Sequence, residues 1–155
     1  MLLSKEMYPY QKIIPLYCDY IKELNSFEES VVLINNQKAF ECLQNISSRN
    51  NWHLHPIVSN KEVIGFVIIT EGEDLQLPVD YCIEEFYVIP EYRRQGIGRI
   101  VFDEILDKYG QKGSLYILDK NIPAQKFWDK MFIEYNVIVE SWTSDIEDAK
   151  LYSFQ

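Results

Sequence analysis

The sequence predicts an α+β fold in which one mixed sheet is flanked by helices. Three observations carry that expectation: two stretches of helical periodicity near the start, strand-like runs joined by a hairpin turn, and a later strand–turn–helix unit that occurs twice. The chain has 155 residues, 47% of them hydrophobic. That is enough to bury a sizeable core, and we expect residues 1–155 to form a single domain.

The elements follow in order. Residues 1–5 are too few and too polar to read as a first strand. From Pro9 to Leu24 the apolar positions Tyr10, Ile13, Ile14, Tyr17, Tyr20, Ile21 and Leu24 keep a helical spacing. A second helix is expected from Asn36 to about Asn50, with Ala39, Phe40, Leu43 and Ile46 on one side. His53–Val58 and Glu62–Thr70 read as strands turning at Ser59-Asn60-Lys61. Ile83–Pro90 is mostly apolar and rich in β-branched and aromatic residues, so it reads as a buried strand. Ile97, Val101 and Ile105 then recur at helical spacing, with Gly110 placed to end that helix. Leu115–Leu118 is a short strand, and Asn121 with Pro123 starts a helix whose Ala124, Phe127, Trp128 and Met131 form an apolar face. Tyr135–Trp142 and Ala149–Phe154 are expected to close the fold as an antiparallel pair.

The turn between the Ile83–Pro90 strand and its helix carries the chemistry. Arg93-Arg94-Gln95-Gly96-Ile97-Gly98 places free backbone N–H groups at the positive end of a helix dipole, which suits phosphate. Gly96 and Gly98 let the backbone approach an anion, and Arg93, Arg94 and Arg99 add cationic side chains. The segment lacks the Lys-Ser/Thr pair of a Walker loop and the third glycine of a dinucleotide fingerprint. The residues alone therefore point to a pyrophosphate-bearing ligand.

Val88-Ile89-Pro90-Glu91-Tyr92-Arg93-Arg94-Gln95-Gly96-Ile97-Gly98 resembles the acyl-CoA signature of the GNAT N-acetyltransferases. Asn121, Ala124 and Phe127 are similar to a second motif of that family, Asn-x-x-Ala-x-x-Phe-Tyr. Without the resemblance they read as a capped amphipathic helix. The pattern of Glu85-Phe86-Tyr87-Val88, Phe127-Trp128 and Tyr135 resembles a less characterised bacterial branch. The resemblance implies a GNAT-like fold, acetyl-CoA as acyl donor, and transfer to a primary amine of a small molecule or peptide. It implies cofactor contacts from Tyr87, Val88, Arg93, Arg94, Gln95, Gly96, Ile97, Gly98, Arg99, Asn121 and Phe127. A non-catalytic CoA-binding sensor on the same fold is the alternative, and a homodimer is compatible with the family.

Direct acyl transfer needs a neutral amine, hence a general base. Glu84 and Glu85 are adjacent in a strand that otherwise reads as buried, with side chains expected on opposite sides. Glu85, three residues before Val88, stands where several family members carry an acidic residue, so it is favoured over Glu84. The competing reading is an ion pair with Arg93, Arg94 or a nearby Lys. The Val88 N–H is the expected oxyanion donor. Trp128 occupies the family's Tyr position and its indole cannot act as a normal acid. Tyr135 is a substitute candidate, and solvent another source of the proton.

A net charge of −9 argues against nucleic-acid binding and suits a cationic acceptor. There is no apolar run of membrane-spanning length, Met1-Leu2-Leu3-Ser4-Lys5-Glu6 lacks the basic start and apolar stretch expected of a secretory signal, and Cys18, Cys42 and Cys82 are widely spaced. A cytoplasmic protein with reduced thiols is expected. His53 and His55 would share a strand face, but no further ligand sits at a supporting spacing, so no metal site is expected.

Overall fold

The computed structural model describes residues 3, 9–28 and 34–155. Helix α1 (Tyr10–Asn25) buries Ile13 and Tyr17, and helix α2 (Asn36–Ser47) buries Ala39 and Leu43, all positions that the helical spacing selects; Cys18 of α1 is buried as well. Asn35 caps α2 by accepting from the Lys38 N–H at 2.8 Å. The helix stops short of Asn50, where Ser48 Oγ turns back onto the Asn45 carbonyl at 2.7 Å.

Strands β1 (Trp52–Ser59) and β2 (Glu62–Glu71) form the expected hairpin. Asn60 and Lys61 both have positive φ, 50° and 69°, the backbone of a two-residue turn whose twist matches the strands it joins. β2 then pairs antiparallel with β3 (Tyr81–Val88). Helix α3 (Ile97–Tyr109) crosses over to β4 (Gly113–Leu118), which lies parallel to β3. Helix α4 (Ile122–Glu134) leads to β5 (Val139–Thr143) and β6 (Ala149–Phe154), and β6 inserts between β4 and β5. Among the described residues the sheet has six strands, in the order β1-β2-β3-β4-β6-β5.

The sheet carries a core on each face. Val67, Ile69, Ile83 and Val88 pack with Val101, Phe102 and Ile105 of α3 and Trp128, Met131 and Phe132 of α4. Phe66, Ile68 and Tyr87 pack with Ile13, Tyr17, Ala39 and Leu43 beneath α1 and α2. From Phe66 to Ile69 the β2 side chains therefore alternate between the two helix layers, as strand geometry requires.

Two expectations change at the ends of the chain. The strand expected from Tyr135 starts only at Val139, because α4 runs on to Glu134 and closes with Asn136 at φ 51°. The Val137 N–H bonds the Phe132 carbonyl at 3.1 Å and the Asn136 N–H bonds that of Ile133 at 3.1 Å, a left-handed helix cap that occupies residues 135–137. At the other end, Leu3 is buried and forms an antiparallel bridge with Ile57. The rest of segment 1–5 lies outside the described residues.

Two irregularities in β3 shape everything that follows. Its pairing with β4 covers only Tyr81↔Gly113, Cys82↔Ser114 and Ile83↔Leu115, after which the strands separate. Against β2, Ile83 lies opposite Ile69 while Glu85 lies opposite Ile68, so Glu84 is an extra residue in a β-bulge.

Candidate active site

Among the described residues, β3 beyond Ile83 has a strand neighbour only on its β2 side, which leaves a wedge between Glu84–Val88 and Tyr116–Leu118. The Ile89 N–H bonds the Ile64 carbonyl of β2 at 2.9 Å. Backbone direction alternates along a strand, so the N–H groups of Val88 and Phe86 point the other way, into the wedge. The Val88 carbonyl shares that direction and accepts from Arg93 Nε at 2.6 Å, which closes the wedge at this end.

The turn follows directly. Arg94 and Gly96 both have positive φ, 61° and 81°, and Gly96 is the N-cap of α3. Gly96 is the natural residue there, and the space where its Cβ would stand is open to 4 Å. The first α3 N–H to find a helical acceptor is that of Ile100, on the Gly96 carbonyl at 3.1 Å, so the preceding N–H groups emerge at the helix end. Gly98 also serves packing. A Cβ there would lie 2.8 Å from Phe127 Cε2, so its absence lets α3 lie against α4.

The three arginines divide their work. Arg93 makes a two-pronged pair with Glu23 of α1, 2.9 Å and 2.6 Å, and lies over the Tyr87 ring at 5.4 Å. Arg99 pairs with Glu134 of α4, Nε to Oε1 2.9 Å. Arg94 is exposed beside the open helix end. Gln95 donates from Nε2 to the Glu91 carbonyl at 2.8 Å, and Ile97 packs on the α3–α4 core.

The bulge corrects the expectation for the two carboxylates, which do not face opposite sides. Glu84 accepts from Thr70 Oγ1 at 2.6 Å, and Thr70 shares the face of β2 that carries Ile68. Glu85 accepts from the Tyr20 hydroxyl of α1. Both therefore point to the α1–α2 layer. Neither forms the ion pair with Arg93 that the competing reading supposed, since Arg93 is held by Glu23. Burial pushes the Glu85 carboxyl up to about 8. Burial also raises Glu84, against hydrogen bonds from Thr70 and Cys82 and with Asp145 and Asp74 adding to the rise.

On the other face, Asn121 caps α4 through Oδ1, which accepts from the Ala124 N–H at 3.1 Å. Phe127 packs against Phe86, ring centroids 5.7 Å apart, and Trp128 is buried among Phe86, Phe102 and Phe132. Tyr135 donates to Asp103 of α3 and packs edge-on to Phe102. Burial and then Asp103 raise its hydroxyl. It thus lies on the α3–α4 side of the sheet, away from Glu84 and Glu85, and the structure does not bring the three together.

A sequence model of the acetyltransferase (GNAT) family matches residues 18–132, which include α2 to α4 up to Phe132 and the whole wedge. The chain belongs to the GNAT family. Solved structures agree in fold. An acetyltransferase from Thermus thermophilus is 12% identical with a TM-score of 0.67, over 92% of this chain and 84% of that one. The PaiA N-acetyltransferase from Thermoplasma acidophilum, in complex with coenzyme A, is 16% identical with a TM-score of 0.63, over 94% and 92%. The diaminobutyrate acetyltransferase EctA from Paenibacillus lautus, bound to its substrate and coenzyme A, is 12% identical with a TM-score of 0.64, over 96% and 92%. No curated protein matches at a significant level.

Three contributors to this GNAT site escaped the sequence reading. Tyr20 and Glu23 lie one helical turn apart on α1 and reach Glu85 and Arg93, 65 and 70 residues away, and the Gly98–Phe127 contact also joins two separate helices. A spacing that put Tyr17, Tyr20 and Glu23 on one face was readable, but nothing in it named their partners. His53 and His55 do share a face, their rings stacked at 6.2 Å, and they engage Glu71 and Tyr109 respectively. Burial, then Lys108 and His53, push His55 down to about 4. Among the described residues no three His, Cys, Asp or Glu are grouped to hold a metal ion, and no helix is long and apolar enough to cross a membrane.

Proposed function

We propose that this GNAT protein is an N-acetyltransferase that moves an acetyl group from acetyl-CoA to a primary amine by direct attack. The observation that carries the reading is the wedge: an unpaired strand edge that ends at a helix N-terminus with emergent N–H groups. An elongated ligand with amides along its arm pairs with such an edge as an added strand would, and its pyrophosphate suits the turn. The open space over Gly96 and the exposed Arg94 fit an anion of that size. Asn121, Phe127 and Phe86 border the arm from the α3–α4 side.

Acetyl-CoA supplies the activated thioester; the chain supplies orientation and a place for the proton. The acceptor enters from the α1–α2 side, where Glu85 takes one proton from its ammonium group. With a pKa of about 8, roughly a tenth of Glu85 is ionised at pH 7, so a base is available without a permanent buried charge. The freed lone pair attacks the thioester carbonyl, and the Val88 N–H donates to the oxygen as it gains charge. That attack forms the C–N bond; collapse of the tetrahedral intermediate restores the C=O bond and breaks the C–S bond, and Glu85 later returns its proton to solvent. The amine's second proton is lost and the departing thiolate is protonated, with solvent as carrier. Acidic side chains at Glu84, Asp74 and Asp145 and the net charge of −9 favour a cationic acceptor.

A second reading, a CoA-binding sensor without turnover, is favoured by the burial of Trp128 at the position where the family's tyrosine acid stands. Calorimetric titration with acetyl-CoA and with 3′-dephospho-acetyl-CoA, followed by an amine screen for thiol release, decides between them. Micromolar binding with turnover supports the enzyme, binding alone supports the sensor, and no binding removes both.

A further inference from the structure

Helix α1 grips the candidate site at two points on one face. Its Glu23 holds Arg93, and one turn earlier its Tyr20 donates to Glu85 Oε2. The Tyr20 ring is fixed edge-on against Phe66 at 5.6 Å and tilted against Tyr87 at 5.5 Å, so its hydroxyl has little freedom to leave the carboxylate. The groups facing Glu85 are few. From α1 come Tyr20 and Tyr17, and the Tyr17 hydroxyl is raised by burial first, then by Glu85, with Cys42 and Cys18 beyond. From β2 come the apolar Phe66 and Ile68. Along β3, Glu84 is turned to Thr70. Burial is the sole influence that raises Glu85 among the described residues, and no cation offsets it.

We propose that Tyr20 is the positioning residue of the general base: its phenol fixes the Glu85 carboxyl on the α1 side of β3 and sets the pH at which Glu85 accepts the proton of the acceptor. The inference rests on the base role given to Glu85 above. Tyr20 keeps its own proton throughout; the proton moves from the acceptor nitrogen to Glu85 Oε. A donor to a carboxylate favours the charged form. Its loss therefore moves ionisation of Glu85 to higher pH and leaves fewer molecules competent at pH 7.

The test uses Tyr20→Phe, which keeps the ring and its packing and removes only the hydroxyl. The Glu85 side-chain carbon is followed by NMR on protein labelled with ¹³C-glutamate, with Glu85→Gln to assign the signal, beside the pH profile of kcat/KM. The titration midpoint and the acid limb are both expected to rise by about one pH unit, roughly a tenfold loss of kcat/KM at pH 7, with the rate at high pH retained. A purely structural role would lower the rate at every pH and leave the midpoint in place. An unmoved midpoint overturns the proposal, as does a moved midpoint with an unmoved acid limb. A wild-type protein with no turnover on any amine would fail the N-acetyltransferase reading itself, and the NMR midpoints would then report separately whether Tyr20 controls Glu85.

Discussion

Replacing Glu85 with Gln separates the energetic cost of the candidate base from its use. Burial carries this carboxyl from an ordinary value of 4.5 up to about 8. In the folded state it therefore keeps a proton that the unfolded chain has already released. Between pH 4.5 and 8 the folded state binds more protons, so stability falls as pH rises through that window and the loss is complete above pH 8. At about 1.4 kcal/mol for each pH unit, the whole shift corresponds to about 4 to 5 kcal/mol. Relaxation and water entry through the open strand edge reduce it, and about 2 to 3 kcal/mol is the expected loss. Glu85→Gln has nearly the same shape and cannot ionise. Urea denaturation of both proteins at pH 5, 7 and 9 is expected to show similar stability at pH 5 and a variant more stable by that amount at pH 9. The same variant loses about 10²-fold or more in kcat at pH 8. Parallel pH dependence of the two stabilities would refute the buried-carboxyl reasoning, and retained kcat would refute the base.

Three further outcomes follow from contacts already described. Gly98→Ala places a methyl 2.8 Å from Phe127 Cε2, so the Phe127 ring must shift from its place against α3; a loss of about 1 to 2 kcal/mol, read as a fall of several degrees in Tm, is expected, and an unchanged Tm would contradict the packing role. Arg94→Glu reverses an exposed charge at the open end of α3. Acetyl-CoA affinity is expected to fall about tenfold with Tm within the range of surface changes, and equal affinity would remove Arg94 from the phosphate site. His55, pushed down to about 4, stays neutral while an unfolded chain takes up its proton near pH 6.5. Its contribution to stability is thus lost as pH falls from about 6.5 toward 4, and an NMR titration of the ring with a midpoint above about 6 would refute this.

Much of the fold was legible because its signals are local. The Asn60-Lys61 turn, the Asn121 cap and the glycine turn before α3 each depend on residues within a few positions of one another. What stayed hidden is long-range. Strict alternation assigned Glu84 and Glu85 to opposite faces, and the bulge that brings them together exists only in the pairing of β3 with β2. The tyrosine that meets Glu85 could not be chosen from 11 without knowing how α1 lies across the sheet. Gly98 read as a route for an anion, while in three dimensions it also makes room for Phe127. Tyr135 stood close to α4 in sequence, yet the helix cap turns it to Asp103.

The narrow contact between β3 and β4 also bears on how the chain reaches this state. β1, β2 and β3 assemble as a meander of neighbouring segments, whereas the three residue pairs that join them to β4 must wait for α3 to cross over. Such parallel pairing closes a long loop for little immediate return, so it belongs to the late, slow part of folding. Lengthening that ladder would speed and strengthen the closure, but it would zip shut the wedge on which the proposed chemistry depends. The protein thus leaves its sheet unfinished where the proposed chemistry needs an open edge.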